Sequence, residues 1–172
     1  MADRKHLREF QARLSERLRQ AASGTGPSAR LGVQVGGRRL LIELAEAGEI
    51  VTINAPVTPV PLTHDWFKGL VSLRGSLYGV SDLARFEGGE LAQTTKETRL
   101  VAFAPRLNLN GAILVDRMLG LQNTEAMSER KPDDAPARPW LGRGWEDADG
   151  NHWTELSLER LAGDERFLAV SR

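Results

Sequence analysis

The spacing of apolar residues near the N-terminus predicts one amphipathic helix. Between residues 3 and 22 they recur every three or four positions, at Leu7, Phe10, Leu14, Leu18 and Ala21. This spacing places them along one face of a helix, and Asp3 and Gly24 are suited to begin and end it. We expect residues 1–23 to be an accessory helix that packs on the main domain or binds a partner, and residues 24–29 to be a linker.

From residue 31 onward the apolar period changes to that of a β-strand. The alternating positions are Leu31, Val33 and Val35, and then Leu40, Ile42 and Leu44. The Gly36-Gly37 pair between them suits a two-residue turn, because glycine adopts positive φ at no steric cost. Later strand candidates are residues 70–73, 77–80, 100–104, 112–116, 119–122 and 153–158. Short strands of this kind, without alternating helices, are typical of an all-β barrel or sandwich.

Composition restricts the classes of function. The 172 residues suit one compact domain or two very small ones. The 23 basic and 23 acidic residues balance, so no overall field favours nucleic acid or an anionic membrane. Cysteine is absent, which excludes disulfides and thiolate chemistry. No apolar run reaches the roughly 18 residues that span a bilayer, so we expect a cytoplasmic protein without membrane insertion.

Residues that could carry catalysis or bind a metal do not form a recognisable site. The three histidines, His6, His64 and His152, are far apart in the sequence. Residues 147–155 resemble a calcium loop, but Gly150 lies at the fourth position instead of the sixth. A hairpin turn at residues 147–150 explains them better. We therefore expect no enzymatic activity, no metal and no cofactor.

The tryptophans have two interpretations. Trp66 lies beside a predicted hairpin, and Trp140, Trp145 and Trp153 cluster late in the chain. Aromatic side chains in a small β domain usually belong to the core, although they also concentrate at interface hot spots. The sequence favours the core.

Residues 66–86 are the most specific stretch of the chain. Two short β-type runs flank Arg74-Gly75, and glycine at the second position suits a tight reversal that places Arg74 at its edge. Asp82 is a good N-cap for a helical turn over residues 83–86, because its carboxylate accepts hydrogen bonds from free backbone amides.

Several motifs together resemble the CheW-like family, the scaffold proteins of bacterial chemosensory arrays. In chain order they are Gly48-Glu49-Ile50, Val60-Pro61-Leu62, Lys68-Gly69, Ser72-Leu73-Arg74-Gly75, Val80-Ser81-Asp82-Leu83 and Gly111-Ala112-Ile113-Leu114-Val115-Asp116. The resemblance covers roughly residues 30–162. It implies two small SH3-like five-stranded β-barrels within residues 30–172, the first roughly 30–87 and the second roughly 98–162, with a hydrophobic groove between them.

The resemblance also implies a function. Such an adaptor binds the regulatory domain of a CheA-like histidine kinase and the tip of a methyl-accepting chemoreceptor, and it has no catalytic activity. The partner-binding residues implied by the motifs are Glu49, Lys68, Gly69, Leu73, Arg74, Gly75 and Asp82. The long N-terminal helix resembles adaptors of type IV pilus (twitching) systems more than flagellar ones.

The chain departs from the family pattern in places. The apolar pair usual after Arg-Gly is replaced at Ser76-Leu77, and Ser81 replaces the isoleucine common before Asp82. A repurposed relative is therefore an open alternative. Another is a small β-barrel that binds nucleic acid or a protein outside chemotaxis, although nucleic-acid binding would require a basic face with interleaved aromatics.

Overall fold

The computed structural model describes residues 29–54, 56–131 and 138–172. The predicted helix over residues 3–22 lies outside them, as does nearly all of its linker. The described strands are β1 (Ala29–Val35), β2 (Arg38–Glu43), β3 (Ala47–Thr52), β4 (Phe67–Leu73), β5 (Ser76–Asp82), β6 (Arg99–Phe103), β7 (Gly111–Val115), β8 (Arg117–Asn123), β9 (Ser128–Arg130), β10 (Leu141–Glu146) and β11 (His152–Leu156). The short helices are α1 (Leu83–Phe86), α2 (Leu158–Ala162) and α3 (Glu165–Leu168), with 3₁₀ turns at Pro105–Leu107 and Thr124–Ala126.

The strands form two mixed sheets, so the prediction of an all-β fold with two β subdomains is confirmed. Sheet A has six strands in the order β8-β1-β2-β11-β10-β9, and sheet B has five in the order β3-β6-β7-β5-β4. Most pairs are antiparallel, but β11 runs parallel to β2 and β7 runs parallel to β5. The predicted hairpin at Gly36-Gly37 joins β1 to β2, and both glycines have positive φ.

The division of the chain between the sheets differs from the predicted split at residues 88–97. Sheet B takes the continuous middle of the chain, β3 to β7, whereas sheet A combines β1 and β2 with β8 to β11. Four strand pairings cross the predicted split: β1–β8 and β3–β6 are antiparallel, and β2–β11 and β5–β7 are parallel. Hydrophobic period predicts strands but gives no information about which distant strands pair.

The two sheets share a hydrophobic core, and sheet B also encloses a second cluster of its own, with Val80 and Leu100 among its members. The shared core contains Val33 and Ile42 from sheet A together with Val101 and Ile113 from sheet B, each fully buried. An aromatic cluster extends this core toward the C-terminus: Phe86 lies 4.9 Å from Trp66, 5.3 Å from Trp140 and 5.4 Å from Phe167 between ring centroids. Trp66, Trp140 and Trp153 are buried, which confirms the core interpretation for them, and Trp145 is half-buried.

Two buried carboxylates connect distant parts of the chain. The Glu87 carboxylate, directly after α1, accepts hydrogen bonds from Arg38, Arg138 and the Trp140 indole. Glu46, between β2 and β3, accepts from the backbone amides of Leu158 and Glu159 at the start of α2. Because buried charges are costly unless paired and hydrogen-bonded, these contacts fix the C-terminal segment against both sheets.

Candidate partner-binding surface

The β4–β5 hairpin presents Arg74 on a tight turn. Arg74 and Gly75 both have positive φ, 50° and 82°, which is the geometry of a type I′ turn. A Cβ at Gly75 would meet nothing within 4 Å, so the backbone conformation, and not space, calls for glycine there. The Arg74 side chain is 83% exposed. The predicted hairpin and the exposed arginine at its tip are therefore both present.

Arg74 pairs with Glu49, another residue that the resemblance implied. The Arg74 Nε atom lies 3.2 Å from the Glu49 Oε1 atom. Glu49 lies on β3 and Arg74 follows β4, and these are the two edge strands of sheet B. The sheet therefore curls until its edges approach one another, and the ion pair spans the gap at the hairpin end.

Apolar residues flank this ion pair along the chain. A cleft of about 450 Å³ separates β3 from β4, lined by apolar residues of both strands that include Val51, Val71 and Leu73. Ile50 and Leu77 are 40% and 60% exposed. An exposed arginine beside uncovered apolar side chains is typical of a protein-binding surface. We call Glu49, Ile50, Leu73, Arg74 and Leu77 the hairpin surface.

Lys68 and Gly69 lie at the other end of β4 and not at the hairpin surface. The register between β4 and β5 shifts between Phe67 and Gly69, which leaves half-buried Lys68 as the extra residue of a bulge. Gly69 is buried with φ 132°, and a Cβ there would lie 2.0 Å from the Thr58 carbonyl oxygen. Its need for glycine comes from close backbone packing, so direct partner contact by Gly69 is not supported.

Asp82 is fully buried and has a structural position. One carboxylate oxygen accepts a hydrogen bond from the Arg85 amide, 3.2 Å away, and the other from the Ala92 amide, 2.7 Å away. The predicted N-cap of α1 is confirmed. The same contacts correct the assignment of Asp82 as a partner-binding residue, because no part of it reaches solvent.

Sequence reasoning missed two members of the hairpin surface, Ile50 and Leu77. A leucine or isoleucine at a strand position ordinarily predicts core. Ile50 is exposed on the edge strand β3, and Leu77 lies on β5 opposite the exposed Ser72. The sequence offered two signals: Ile50 directly follows Glu49, and Leu77 lies two residues after Gly75.

The predicted turn at residues 147–150 also forms, between β10 and β11. The Asp147 carboxylate accepts hydrogen bonds from the backbone amides of Asp149 and Asn151, the Asn151 side chain and the Trp153 indole. These bonds, with that of Trp153 foremost, lower the pKa of Asp147 to about 2. Both oxygens of the Asp147 carboxylate therefore accept hydrogen bonds from residues of the same hairpin. Within residues 29–54, 56–131 and 138–172, no group of three or more His, Asp or Glu side chains could hold a metal ion.

Comparison with known proteins identifies the family. Residues 30–166 match the CheW-like domain, which is most of the chain. The chain belongs to the CheW-like domain family. This CheW-like chain is 28% identical to Protein PilI of Pseudomonas aeruginosa over 145 residues, which are 82% of this chain and 79% of that protein.

A solved CheW structure has the same fold. The scaffolding protein TtCheW from Thermoanaerobacter tengcongensis superposes with a TM-score of 0.64, over 76% of this chain and 89% of that one, at 16% sequence identity. Sheets A and B thus correspond to the two SH3-like β subdomains of the CheW fold. Among the described residues, no helix is both long and apolar enough to cross a bilayer.

Proposed function

We propose that this CheW-like chain is a non-catalytic cytoplasmic adaptor that couples a chemoreceptor to a histidine kinase in a chemosensory array. The observation that supports the proposal most is the Arg74–Glu49 ion pair, held 3.2 Å apart across the open edge of sheet B. Family membership supports an adaptor role. The similarity to Protein PilI supports type IV pilus (twitching) motility more than flagellar motility.

In this proposal the hairpin surface binds the helical tip of the receptor. Arg74 is presented on a rigid turn, so little conformational freedom is lost when a partner binds. An exposed ion pair contributes only about 0–1 kcal/mol. Glu49 therefore orients the guanidinium, and breaking this pair when a partner binds costs little free energy. Ile50 and Leu77 then supply the apolar contact area. A partner segment that combines a carboxylate with apolar side chains would match this surface.

Arg74→Ala tests the proposal. Since Arg74 is exposed, the free energy of unfolding should change by no more than about 0.5 kcal/mol. Binding to the cytoplasmic fragment of the receptor should weaken by about 1–3 kcal/mol, the range of an interface hot spot. Thermal melting gives the first quantity and isothermal calorimetry the second.

The matched control is Arg99→Ala, an arginine on β6 whose guanidinium bonds only to nearby backbone carbonyls in the described contacts. It should leave receptor binding unchanged. A large loss of melting temperature in Arg74→Ala, with normal affinity per folded molecule, would mean that Arg74 acts inside the fold. In that case the hairpin surface would not be the binding site.

A further inference from the structure

Glu46 has one carboxylate oxygen that the contacts with α2 do not use. The residue is only 3% exposed. Its Oε1 atom accepts both hydrogen bonds from α2, at 2.8 Å from the Leu158 amide and 3.4 Å from the Glu159 amide. Among the described residues, the Oε2 atom accepts no hydrogen bond and forms no ion pair. A buried carboxylate oxygen without a donor is costly, so this atom points to a ligand.

The free oxygen opens into a cavity. This cavity has a volume of about 330 Å³, is lined by residues of β2, β10, β11 and α2, and includes Glu46 in its wall. In the described part of the chain, every side-chain nitrogen or oxygen that is sealed from solvent has a hydrogen-bond partner. Since Oε2 has none, it is not sealed, and the cavity is its access to solvent. The volume lies at the lower end of the roughly 300–1,000 Å³ of small-molecule sites.

The charges closest to Glu46 are negative. Burial raises the pKa of Glu46, and the charges of Glu43 and Glu159 raise it further, although the hydrogen bonds from α2 oppose the shift. Both of these neighbours also line the cavity. Three carboxylates therefore face one space, and a cation in that space would be attracted to all of them.

The arginines of the cavity do not neutralise Glu46. Three of them are in its wall, and each is directed to another acceptor: Arg30 lies 3.8 Å from Glu43, Arg143 lies 4.0 Å from Glu129, and Arg160 donates to the Pro139 carbonyl. The fourth carboxylate of the wall, Glu155, accepts a hydrogen bond from the Trp145 indole. Glu46 is thus the buried acid of the cavity that still lacks a donor.

The chemistry of the cavity suits an organic cation and not a metal ion. In the part of the chain that the structure describes, no group of three or more His, Asp or Glu side chains could hold a metal. A primary ammonium group carries three N–H donors on a compact charge, so it can bond Oε2 directly. Leu41 and Leu141 also line the cavity, and an alkyl chain can lie against them.

We propose that this cavity binds a small primary alkylammonium ion, with the Glu46 Oε2 atom accepting its N–H group and Glu43 and Glu159 as acidic neighbours. No residue of the hairpin surface lines the cavity, so the inference goes beyond the adaptor function and does not depend on it. A bound ammonium favours the ionised form of the same carboxylate that accepts the α2 amides. The ligand would therefore be felt at the start of α2.

Titration of the full chain with n-butylammonium chloride tests the site. The amide NMR signals of Leu158 and Glu159 report on it, because both amides donate to Glu46. At neutral pH these signals should shift saturably. Potassium chloride at equal ionic strength should leave them unchanged, as should tetramethylammonium, which has the charge but no N–H donor.

Three variants separate recognition from stability. Glu46→Gln keeps an acceptor for α2 but removes the charge, so it should weaken n-butylammonium binding at least about tenfold. Glu43→Gln should weaken it only about twofold to fivefold, because solvent screens this more exposed carboxylate. The matched control is Glu125→Gln, which changes an exposed carboxylate outside the cavity. It should bind as the wild type does.

Several results would overturn the inference. Equal shifts with tetramethylammonium or potassium chloride would show a general ionic effect, and the absence of saturable shifts in the wild type would show no site. Wild-type affinity in a folded Glu46→Gln would exclude its carboxylate. If that variant does not fold, an unchanged affinity in Glu43→Gln has the same meaning. Tighter binding of acetyl-glycyl-lysyl-glycine amide than of n-butylammonium would assign the cavity to a lysine side chain of another protein instead of a free amine.

Discussion

Gly69 is required by two independent features of the backbone. Its φ of 132° lies in a region open mainly to glycine, and a Cβ there would overlap the Thr58 carbonyl. Gly69→Ala must therefore break the Thr58–Leu70 bridge that attaches residues 56–60 to β4. We expect a loss of about 2–4 kcal/mol in the free energy of unfolding, measured by urea denaturation.

Gly75→Ala is the control for this prediction. It also places alanine at positive φ, but in open space, so it should cost only about 1 kcal/mol. Equal losses in the two variants would show that the close approach to Thr58 contributes nothing. The comparison isolates backbone crowding from backbone strain.

At single residues, sequence reasoning succeeded where the cause is local. The N-cap role of Asp82 and the turn role of Gly75 follow from neighbouring positions, and the structure contains both. It failed where the cause is a distant contact. The burial of Asp82 depends on Ala92, and the demand for glycine at position 69 depends on Thr58.

Helix α2 begins against a carboxylate from another part of the chain. Glu46, only 3% exposed, accepts hydrogen bonds from the amides of Leu158 and Glu159. Burial raises the pKa of Glu46 above its usual 4.5, although these hydrogen bonds oppose the shift. The folded protein thus binds this proton more strongly than the unfolded chain does. The stability linked to this group is greatest below about pH 4.5 and falls as pH rises through the raised pKa.

Two variants test this coupling. Glu46→Gln keeps an oxygen that accepts a hydrogen bond but cannot ionise, so it should flatten the decline in melting temperature above about pH 4.5. Glu46→Ala removes the acceptor of the Leu158 and Glu159 amides and should cost about 1–2 kcal/mol near pH 4.5, and less at higher pH. Melting curves from pH 4 to 8 measure both effects. A Glu46→Gln profile parallel to that of the wild type would show that this carboxyl does not titrate in that range.

Among the elements, the hairpins were the most predictable. The β1–β2, β4–β5 and β10–β11 turns follow from glycine and aspartate at fixed positions between strands. The strand ends were predicted too short at β4 and β5, which extend to Phe67 and Asp82. Hydrogen bonding to neighbouring strands extends them beyond their apolar runs.

At the scale of the whole molecule, sheet B is formed by a continuous segment inserted between β2 and β8, which are the second and third strands of sheet A in chain order. A cut in the loop at residues 88–96 would divide both sheets: β1 and β2 would separate from β8 to β11, and β3 to β5 from β6 and β7. Residues 1–87 and 98–172, expressed separately, should therefore show no cooperative thermal transition by circular dichroism. The shared core between the sheets gives the same expectation.

The full chain with a protease site inserted in that loop, left uncut, is the control and should melt cooperatively. Cooperative melting of either fragment alone would contradict this expectation, because the cut divides the strands that form both hydrophobic clusters. The predicted barrel boundaries, 30–87 and 98–162, would instead leave a complete set of barrel strands in each fragment. Whether the fragments melt cooperatively depends on the pairing of distant strands. The apolar pattern does not encode that pairing.

The parallel pairing of β2 with β11 also determines when sheet A can form during synthesis. Leu40 and Ile42 pair with Thr154 and Leu156, near opposite ends of the chain. As the chain leaves the ribosome, β2 has only β1 as a neighbour until nearly all of the remaining residues have been translated. Sheet B, drawn from the continuous middle, is complete much earlier. The nascent chain thus carries an open apolar strand edge for most of its synthesis, and such edges are a recognised route to aggregation.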